Sequence, residues 1–248
     1  MLIRRMYESE PSQFYGSKEG SDAAVLIDSK TVLEKKDFVA TGILTYALGD
    51  IIEVELPQYN VFHLGDKVKL TVYTKSGLFV FESTIVAKDN GSLIVINPPE
   101  NRKKFTEKRD FPRIDISHGG VLHTLHDTVR SRRQRLEKPM GISIKNISMS
   151  GIGFTLESNL LIENQTRLEV ELNLGFSMPC IAEVVRKETL DSGLYYGAKY
   201  IEVPREKTNA LRAFILKSQV ETYFVRKREE NHMKALNKKP AANEGLPL

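Results

Sequence analysis

Two short motifs carry side chains suited to binding phosphates and nucleobases. In Arg109-Asp-Phe-Pro-Arg113 two arginines lie four residues apart, and a guanidinium binds phosphate oxygens or the N7/O6 edge of a guanine through paired hydrogen bonds. The second motif places Asn146, Ser148 and Gly151 in the spacing Asn-x-Ser-x-x-Gly. Its amide and hydroxyl groups can read a base edge, and Gly151 can take a positive φ and admit a ligand to the backbone. Each motif alone is weak evidence, because the first arises by chance in a basic chain and the second also suits a hairpin turn.

The sequence offers little for catalysis or metal binding. It contains neither Gly-x-Ser-x-Gly nor a Walker-type Gly-Lys-Ser/Thr. His118, His123, His126 and Asp127 lie close along the chain, but their spacing matches no standard zinc pattern. Cys180 stands among apolar residues, which indicates a core position rather than a nucleophile. We therefore expect no catalytic residue, no metal and no cofactor apart from a bound ligand.

Positive charge is concentrated in the middle of the chain. Residues 102–138 contain eleven Lys/Arg and five Asp/Glu, a net charge of +6, whereas the whole chain has +4. A segment of this kind attracts phosphates, acidic proteins or anionic lipids, although a solvated basic linker is an equally ordinary explanation. Part of the excess comes from Arg130, Arg132, Arg133 and Arg135.

Composition indicates a globular, cytoplasmic protein. Of the 248 residues, 41% are hydrophobic and 27% charged, as in ordinary soluble domains, and the length allows one or two domains. The longest apolar runs are too short to cross a bilayer, and no apolar signal-peptide stretch follows Met1. A single cysteine excludes an internal disulfide and fits a reducing compartment.

The elements that must position the two motifs are mostly β-strands. Between residues 23 and 96, short segments that alternate apolar and polar residues recur about every ten residues, which predicts a small antiparallel barrel of six strands. A second set of strands starts near Phe111, and a helical spacing of apolar residues follows from Glu206 to about Arg228. The turns predicted in the first set are Gly49-Asp50, Gly65-Asp66, Ser76-Gly77 and Asn90-Gly91.

The predicted fold is mainly all-β, with two small antiparallel barrels, the second closed by a C-terminal helix. We expect residues 118–140 to form an inserted basic loop with at most a helical turn. The predicted divisions are a polar leader at 1–22, a first barrel at 23–98, a basic linker with the arginine motif at 99–113, a second barrel with its helix at 114–228, and a polar tail at 229–248.

Taken together and in this order, the two motifs resemble the PilZ domain, the bacterial receptor domain for cyclic di-GMP. The resemblance spans about residues 103–228, and Leu194–Ile201 looks like the family's glycine-containing late strand. The first barrel resembles, by pattern and order alone, the N-terminal domain of flagellar-brake-type PilZ proteins. The inserted loop is a departure, because the stretch between Arg113 and Asn146 is longer than usual for the family.

The resemblance assigns roles to individual residues. It implies that Arg109, Arg113, Asn146, Ser148 and Gly151 hold a phosphate and guanine edges of cyclic di-GMP. Two further residues correspond more loosely to positions of the family. The first precedes the arginine motif, at a position associated with the number of ligand molecules that stack in the site. The second lies on a late strand. They are Lys108 and Arg186.

The resemblance therefore implies a non-enzymatic, cytoplasmic receptor that binds cyclic di-GMP and changes the orientation of its two barrels. Its expected output is control of motility or surface behaviour through a protein partner, such as a flagellar motor protein at the basal body or an exopolysaccharide component. An alternative is a nucleic-acid-binding barrel that uses the basic segment. We do not expect DNA binding, because no cluster of exposed aromatic residues is evident along the strands. A membrane span is not expected either.

Overall fold

The structure, a computed structural model, describes residues 13–15, 27–74, 77–101, 111–128, 130, 132–156, 160–190 and 193–237. Within these ranges the chain forms two β-sheets followed by one long helix. The first sheet contains β1 (Gln13–Tyr15), β2 (Ser29–Lys35), β3 (Phe38–Leu48), β4 (Ile51–Glu55), β5 (Lys67–Thr74), β6 (Gly77–Asp89) and β7 (Ser92–Ile96). The second contains β8 (Ile114–Asp127), β9 (Arg132–Ser148), β10 (Gly151–Leu156), β11 (Thr166–Asn173), β12 (Ser177–Leu190) and β13 (Gly193–Glu202), and helix α1 spans Arg205–Asn237.

The first sheet closes into the predicted antiparallel barrel. Its strands follow the order β6-β5-β2-β3-β4-β7, and β7 pairs back onto β6. Alternate residues of each strand point inward, which buries a core that includes Leu33, Leu44, Leu70, Phe79 and Leu93. The apolar run at 23–27, the first strand signal in the sequence, precedes β2 at Ser29–Lys35, and residues 23–26 of this run lie outside the described part.

The polar leader contributes a strand, which the sequence analysis did not expect. Gln13–Tyr15 form β1 and pair antiparallel with Leu78–Val80 of β6, outside the ring of six strands. Aromatic residues such as Phe14 and Tyr15 favour strands, and an edge of a neighbouring sheet is enough to order so short a segment. The rest of 1–22 lies outside the described residues.

The hairpin turns follow the glycine signals of the sequence. Asn90 and Gly91 both have positive φ, 36° and 89°, between β6 and β7, as a two-residue hairpin with the twist of its strands requires. Gly49, with φ of 63°, turns the chain between β3 and β4. The predicted Gly65 turn also has positive φ, 86°.

The second sheet is a closed antiparallel barrel with the order β10-β13-β12-β11-β8-β9. Its interior is a continuous apolar core that includes Leu122, Ile144, Phe154, Leu168 and Tyr196. The fold class predicted from the sequence is thereby confirmed.

The expected inserted loop at 118–140 is wrong, because this segment forms most of a long β-hairpin. Strands β8 and β9 pair from Ile114↔Ile147 out to Asp127↔Arg132, and β8 is also paired with β11 on its other side. The outer part of β9, 132–139, has no buried residue. A strand exposed on both faces shows no two-residue alternation of apolar residues, so backbone pairing creates a strand that the sequence pattern conceals.

Helix α1 packs against both barrels. Leu211 and Ile215 lie in the core of the second barrel, whereas Tyr223 packs with Ile51 and Ile94 of the first. The helix continues to Asn237, beyond the end predicted near residue 228. Most of the residues at 229–236 are good helix formers, and the next helix breaker in the sequence comes only at position 240. Among the described residues, no helix is long and apolar enough to cross a bilayer.

Polar contacts fix the helix to the β3–β4 turn and to β4. Gln219 accepts a hydrogen bond from the backbone N–H of Asp50 at 2.8 Å and donates one to its carboxylate at 2.9 Å. Lys227 donates to the carboxylate of Glu53, which is only 4% exposed and also accepts from the Thr45 hydroxyl at 2.6 Å. The helix therefore sets the position of the two barrels relative to each other.

Candidate ligand-binding site

One row of residues crosses four strands of the second barrel and contributes three residues to the site, Asn146, Gly197 and Arg186. In the register of the sheet, Asn146 of β9 lies opposite Gly153 of β10. Gly153 in turn lies opposite Gly197 of β13, and Gly197 lies opposite Arg186 of β12. Directly opposed residues share one face of a sheet. Gly197 leaves a low surface next to the Arg186 guanidinium, whereas the Tyr195 hydroxyl occupies the space above Gly153, beside the Asn146 amide.

Tyr195 links the two ends of this row. Its hydroxyl accepts a hydrogen bond from the Asn146 side-chain amide at 2.8 Å, and the Arg186 guanidinium lies 5.4 Å from the centre of its ring, within the range of a cation–π contact. A Cβ at Gly153 would lie 1.9 Å from the Tyr195 hydroxyl oxygen. Gly153 is thus the residue that lets Tyr195 reach Asn146.

The second sequence motif folds into the tight turn between β9 and β10. Ser148, 2% exposed, accepts a hydrogen bond from the backbone N–H of Ser150 at 3.2 Å. Gly151 does not have the positive φ that the sequence analysis proposed. It is required because a Cβ there would lie 2.1 Å from the Ala198 carbonyl oxygen. The close approach of β13, rather than backbone conformation, therefore explains this glycine.

A cavity of about 130 Å³ brings most of the sequence-predicted site residues together. Its lining includes the five that the structure describes, Arg113, Asn146, Ser148, Gly151 and Arg186. The other two, Lys108 and Arg109, lie outside the described residues, as does 102–110 of the predicted linker. The arginines at 130, 132, 133 and 135 are not part of this lining.

Sequence reasoning missed three polar side chains of the cavity, Tyr195, Lys199 and Ser150. The first two alternate with the buried residues Tyr196 and Ala198 along β13. This two-residue period was the signal that could have placed both on the same face as Gly197. Lys199 also forms an ion pair with Glu183 at 2.8 Å, and this pairing holds the pKa of the Glu183 carboxyl below its ordinary value.

The residues considered for catalysis or metal binding are elsewhere. Burial raises the pKa of the Cys180 thiol to about 12, so at neutral pH the sulfur is a protonated, poorly nucleophilic core atom. His118 stacks edge-on against Phe214 of the helix, and His123 faces Glu171 at 3.7 Å. No group of three His, Cys, Asp or Glu within the described ranges is arranged to hold a metal ion.

Comparison with known protein families identifies the second barrel. Residues 107–217 match the family described as the PilZ domain. This part of the chain is a PilZ domain. The match begins two residues before the arginine motif, contains the Asn-x-Ser-x-x-Gly turn and all six strands of the second barrel, and ends in the first half of α1. The PilZ resemblance inferred from the two motifs is thereby confirmed.

Several solved structures are similar to the chain over both barrels. An inhibitor of motility from Bacillus subtilis (MotI/DgrA) is 16% identical, with 80% of this chain and 99% of that chain covered and a TM-score of 0.39. YcgR from Escherichia coli in complex with c-di-GMP is 13% identical, with 81% and 88% covered and a TM-score of 0.39. PlzA from Borreliella burgdorferi in complex with c-di-GMP is 11% identical, with 83% and 93% covered and a TM-score of 0.32. No curated protein sequence matches the chain.

Proposed function

We propose that this protein is a non-enzymatic, cytoplasmic receptor for cyclic di-GMP. The observation that carries the proposal is the convergence on one cavity of the side chains that the two sequence motifs contribute. Arg113 comes from the junction before β8, Asn146 and Ser148 from β9, and Arg186 from β12. A chance pair of motifs would not be expected to meet across the strands of a barrel.

The chemistry of the cavity fits a guanine nucleotide. Arg113 is exposed and has no hydrogen-bond or ion-pair partner in the described part of the chain, so its guanidinium is free to bind a phosphate or a guanine edge. Within the described residues, the ion-pair partner of Arg186 is the exposed carboxylate of Glu188, at 3.1 Å. Exposed pairs of this kind contribute about 0–1 kcal/mol, so a ligand phosphate can replace Glu188 at little cost.

A ligand bound to Arg113 can alter how the two barrels are arranged relative to each other. Arg113 immediately precedes β8 at the end of the segment that joins the two sheets. A ligand changes the balance between two barrel arrangements only through a difference in its affinity for them, and contact with the junction provides such a difference. We propose that the changed arrangement is recognised by a partner that controls motility or surface behaviour, with a flagellar motor protein as the first candidate.

Calorimetry with cyclic di-GMP tests the binding proposal directly. We expect a dissociation constant of about 1 μM or below for the full chain. Arg113→Ala should weaken binding at least about tenfold, because it removes a charge-assisted hydrogen bond of roughly 1.5–3 kcal/mol. Asn146→Ala should have an effect of similar direction. Cyclic di-AMP should bind much more weakly to the unaltered protein.

The control is Arg212→Ala, which removes the same charge from an exposed position on α1 that does not line the cavity. Its affinity should equal that of the unaltered protein. Absence of cyclic di-GMP binding by the unaltered chain would refute the proposal, and so would equal affinity of Arg113→Ala and Arg212→Ala.

A further inference from the structure

The outer part of strand β9 has a free edge. On one side, residues 132–135 pair with 124–127 of β8. On the other side, β9 pairs with β10 only from Ile142 to Ser148, so no strand among the described residues covers the second edge of 132–135. In an antiparallel pair, alternate residues direct their N–H and C=O groups away from the partner strand. This edge therefore presents backbone groups to which another strand can bind.

The free edge has the length of one short strand. Residues 136–139 of β9 correspond to a single residue of β8, His123, and a bulge of this kind interrupts the ladder of backbone hydrogen bonds. Pro139 within the bulge has no N–H to donate. An added strand thus finds a regular edge at 132–135 and no continuation beyond it.

The side chains along this edge are cationic. Arg132 and Arg135 are exposed, and their guanidinium groups have no ion-pair or hydrogen-bond partner within the described ranges. Arg133, in contrast, is paired with Glu169 of β11 at 2.5 Å. Residues three apart on a strand point to opposite faces, so one free arginine lies on each face of the hairpin. Opposite charges stabilise cross-strand pairs, and the edge therefore favours a strand that carries acidic residues.

The composition of the hairpin favours a partner protein over other occupants. A second copy of this chain would bring two arginine-rich edges together, and like charges directly opposite each other are destabilising. Positions 130–140 contain no aromatic residue on which a nucleobase could stack. The apolar residues Leu136 and Met140 pack against the barrel core instead of forming the apolar face that binds a lipid surface.

We propose that the edge of β9 at 132–135 is the docking site for an acidic, extended segment of a partner protein, which joins the second barrel as an added strand. Backbone hydrogen bonds supply the affinity, and the two free arginines select for acidic residues. The inference rests on the proposed function in that a receptor acts through a partner. Residues 132–135 do not line the ligand cavity, so the partner and cyclic di-GMP can be bound at the same time.

Amide hydrogen exchange of the full chain, followed by NMR, tests the proposal with a defined probe. The probe is the peptide acetyl-Thr-Glu-Val-Glu-Val-Glu-Thr-amide at about 1 mM, which should slow exchange about threefold if its dissociation constant is about 0.5 mM. Only alternate amides of 132–135 should be protected, because the others already donate to β8. The control peptide has the same side chains but a methyl group on every backbone nitrogen, and it should give no protection.

Variants of the edge separate strand addition from general attraction of charge. Arg132→Gln combined with Arg135→Gln should reduce the protection to below about 1.5-fold, because the acidic side chains lose both of their partners. The matched control combines Arg212→Gln with Arg228→Gln, which changes the net charge equally at exposed positions of α1. It should retain the full protection.

Four results would overturn the docking site. Equal protection by both peptides would show contact without backbone pairing, and equal protection in both double variants would place the acidic peptide elsewhere. Absence of protection would assign the arginines to guarding a bare edge against aggregation. Binding to phosphatidylglycerol vesicles or duplex DNA, or dimerisation, that is lost in the Arg132→Gln, Arg135→Gln variant would replace the proposed occupant by another.

Calorimetry with cyclic di-GMP on the same samples distinguishes this inference from the proposed function. If the chain binds cyclic di-GMP and the acidic peptide gives no protection, the docking site is wrong and the receptor function stands. If the peptide protects the edge and cyclic di-GMP does not bind, the receptor function is wrong and the docking site stands.

Discussion

The buried contact between Glu53 and Lys227 holds α1 against the first barrel, and replacing Lys227 by Met should weaken the fold measurably. Burial alone would raise the pKa of the Glu53 carboxyl, but hydrogen bonds from Lys227, Thr45, Tyr223 and Ser92 together hold it below its ordinary value. Glu53 is therefore charged at neutral pH. Without the ammonium group, its charge remains in a place where water cannot solvate it.

The expected cost of Lys227→Met is about 2–3 kcal/mol at pH 7. Removing one partner of a fully buried ion pair costs roughly 3–5 kcal/mol. The estimate is lower here because the Lys227 side chain is 28% exposed and the Thr45 hydroxyl still donates to Glu53. Lys217→Met provides the control, because this exposed lysine on the same helix pairs only with Glu221, at 3.7 Å, and should cost less than about 0.5 kcal/mol.

Urea denaturation, followed by circular dichroism at several pH values, measures the effect. In the unaltered protein the depressed pKa of Glu53 stabilises the fold above its ordinary pKa, and this stabilisation is lost as the pH falls through the lower native value. In Lys227→Met burial is no longer opposed by the ammonium group, so we expect the pKa of Glu53 to rise. The variant's fold can then take up a proton on Glu53. The difference in unfolding free energy between the two proteins should therefore shrink between pH 7 and about pH 4.

A double-mutant cycle decides whether the charge of Glu53 is the cause. In a Glu53→Gln background, Lys227→Met should cost less than about 1 kcal/mol, because no buried charge is left unpaired. An equal cost in both backgrounds, or a difference that does not depend on pH, would refute the reasoning and assign the effect to lost packing of the lysine chain.

Two further predictions concern the PilZ barrel. Gly151→Ala should lower the unfolding free energy by about 2–3 kcal/mol, because its Cβ would meet the Ala198 carbonyl oxygen of β13 at 2.1 Å. The control, Gly119→Ala, should be near neutral, because a Cβ there would meet nothing within 4 Å. Similar melting temperatures of the two variants would contradict the close approach of β13 to Gly151. Changing the four hairpin arginines, at positions 130, 132, 133 and 135, to Gln should alter the affinity for cyclic di-GMP by less than about threefold. The reason is that exposed charges beyond a Debye length of about 8–10 Å are screened. A tenfold loss of affinity in calorimetry would place the hairpin at the ligand.

Sequence patterns predicted the parts of the fold that have one buried face or a special turn. The alternation along β5 and the Asn90-Gly91 signal both correspond to what the structure contains. The outer half of the β8–β9 hairpin could not be predicted, because neither face of 132–139 is buried. Residues 132–135 of β9 pair with β8 through the backbone, and their exposed side chains show no two-residue alternation.

The contacts across the junction were also beyond the sequence. Glu53 and Lys227 are 174 residues apart, and Glu53 fits the polar position of an alternating strand, where exposure is the ordinary expectation. In the site, the two motifs named residues that do line one cavity, but they gave no role to Tyr195. Its part in the site depends on the register of β13 against β10, which a motif in a single segment does not encode.

The position of α1 after both barrels in the chain has a consequence for synthesis. Ile51 and Ile94 of the first barrel have Tyr223 as their buried partner, and the second barrel needs Leu211 and Ile215 to complete its core. A chain elongating on the ribosome therefore presents two barrels with apolar openings until the helix emerges. Partly exposed apolar surface of this kind favours aggregation and binding by chaperones. An element made after both barrels thus completes them together, and a chain that stopped before residue 211 would leave both incomplete.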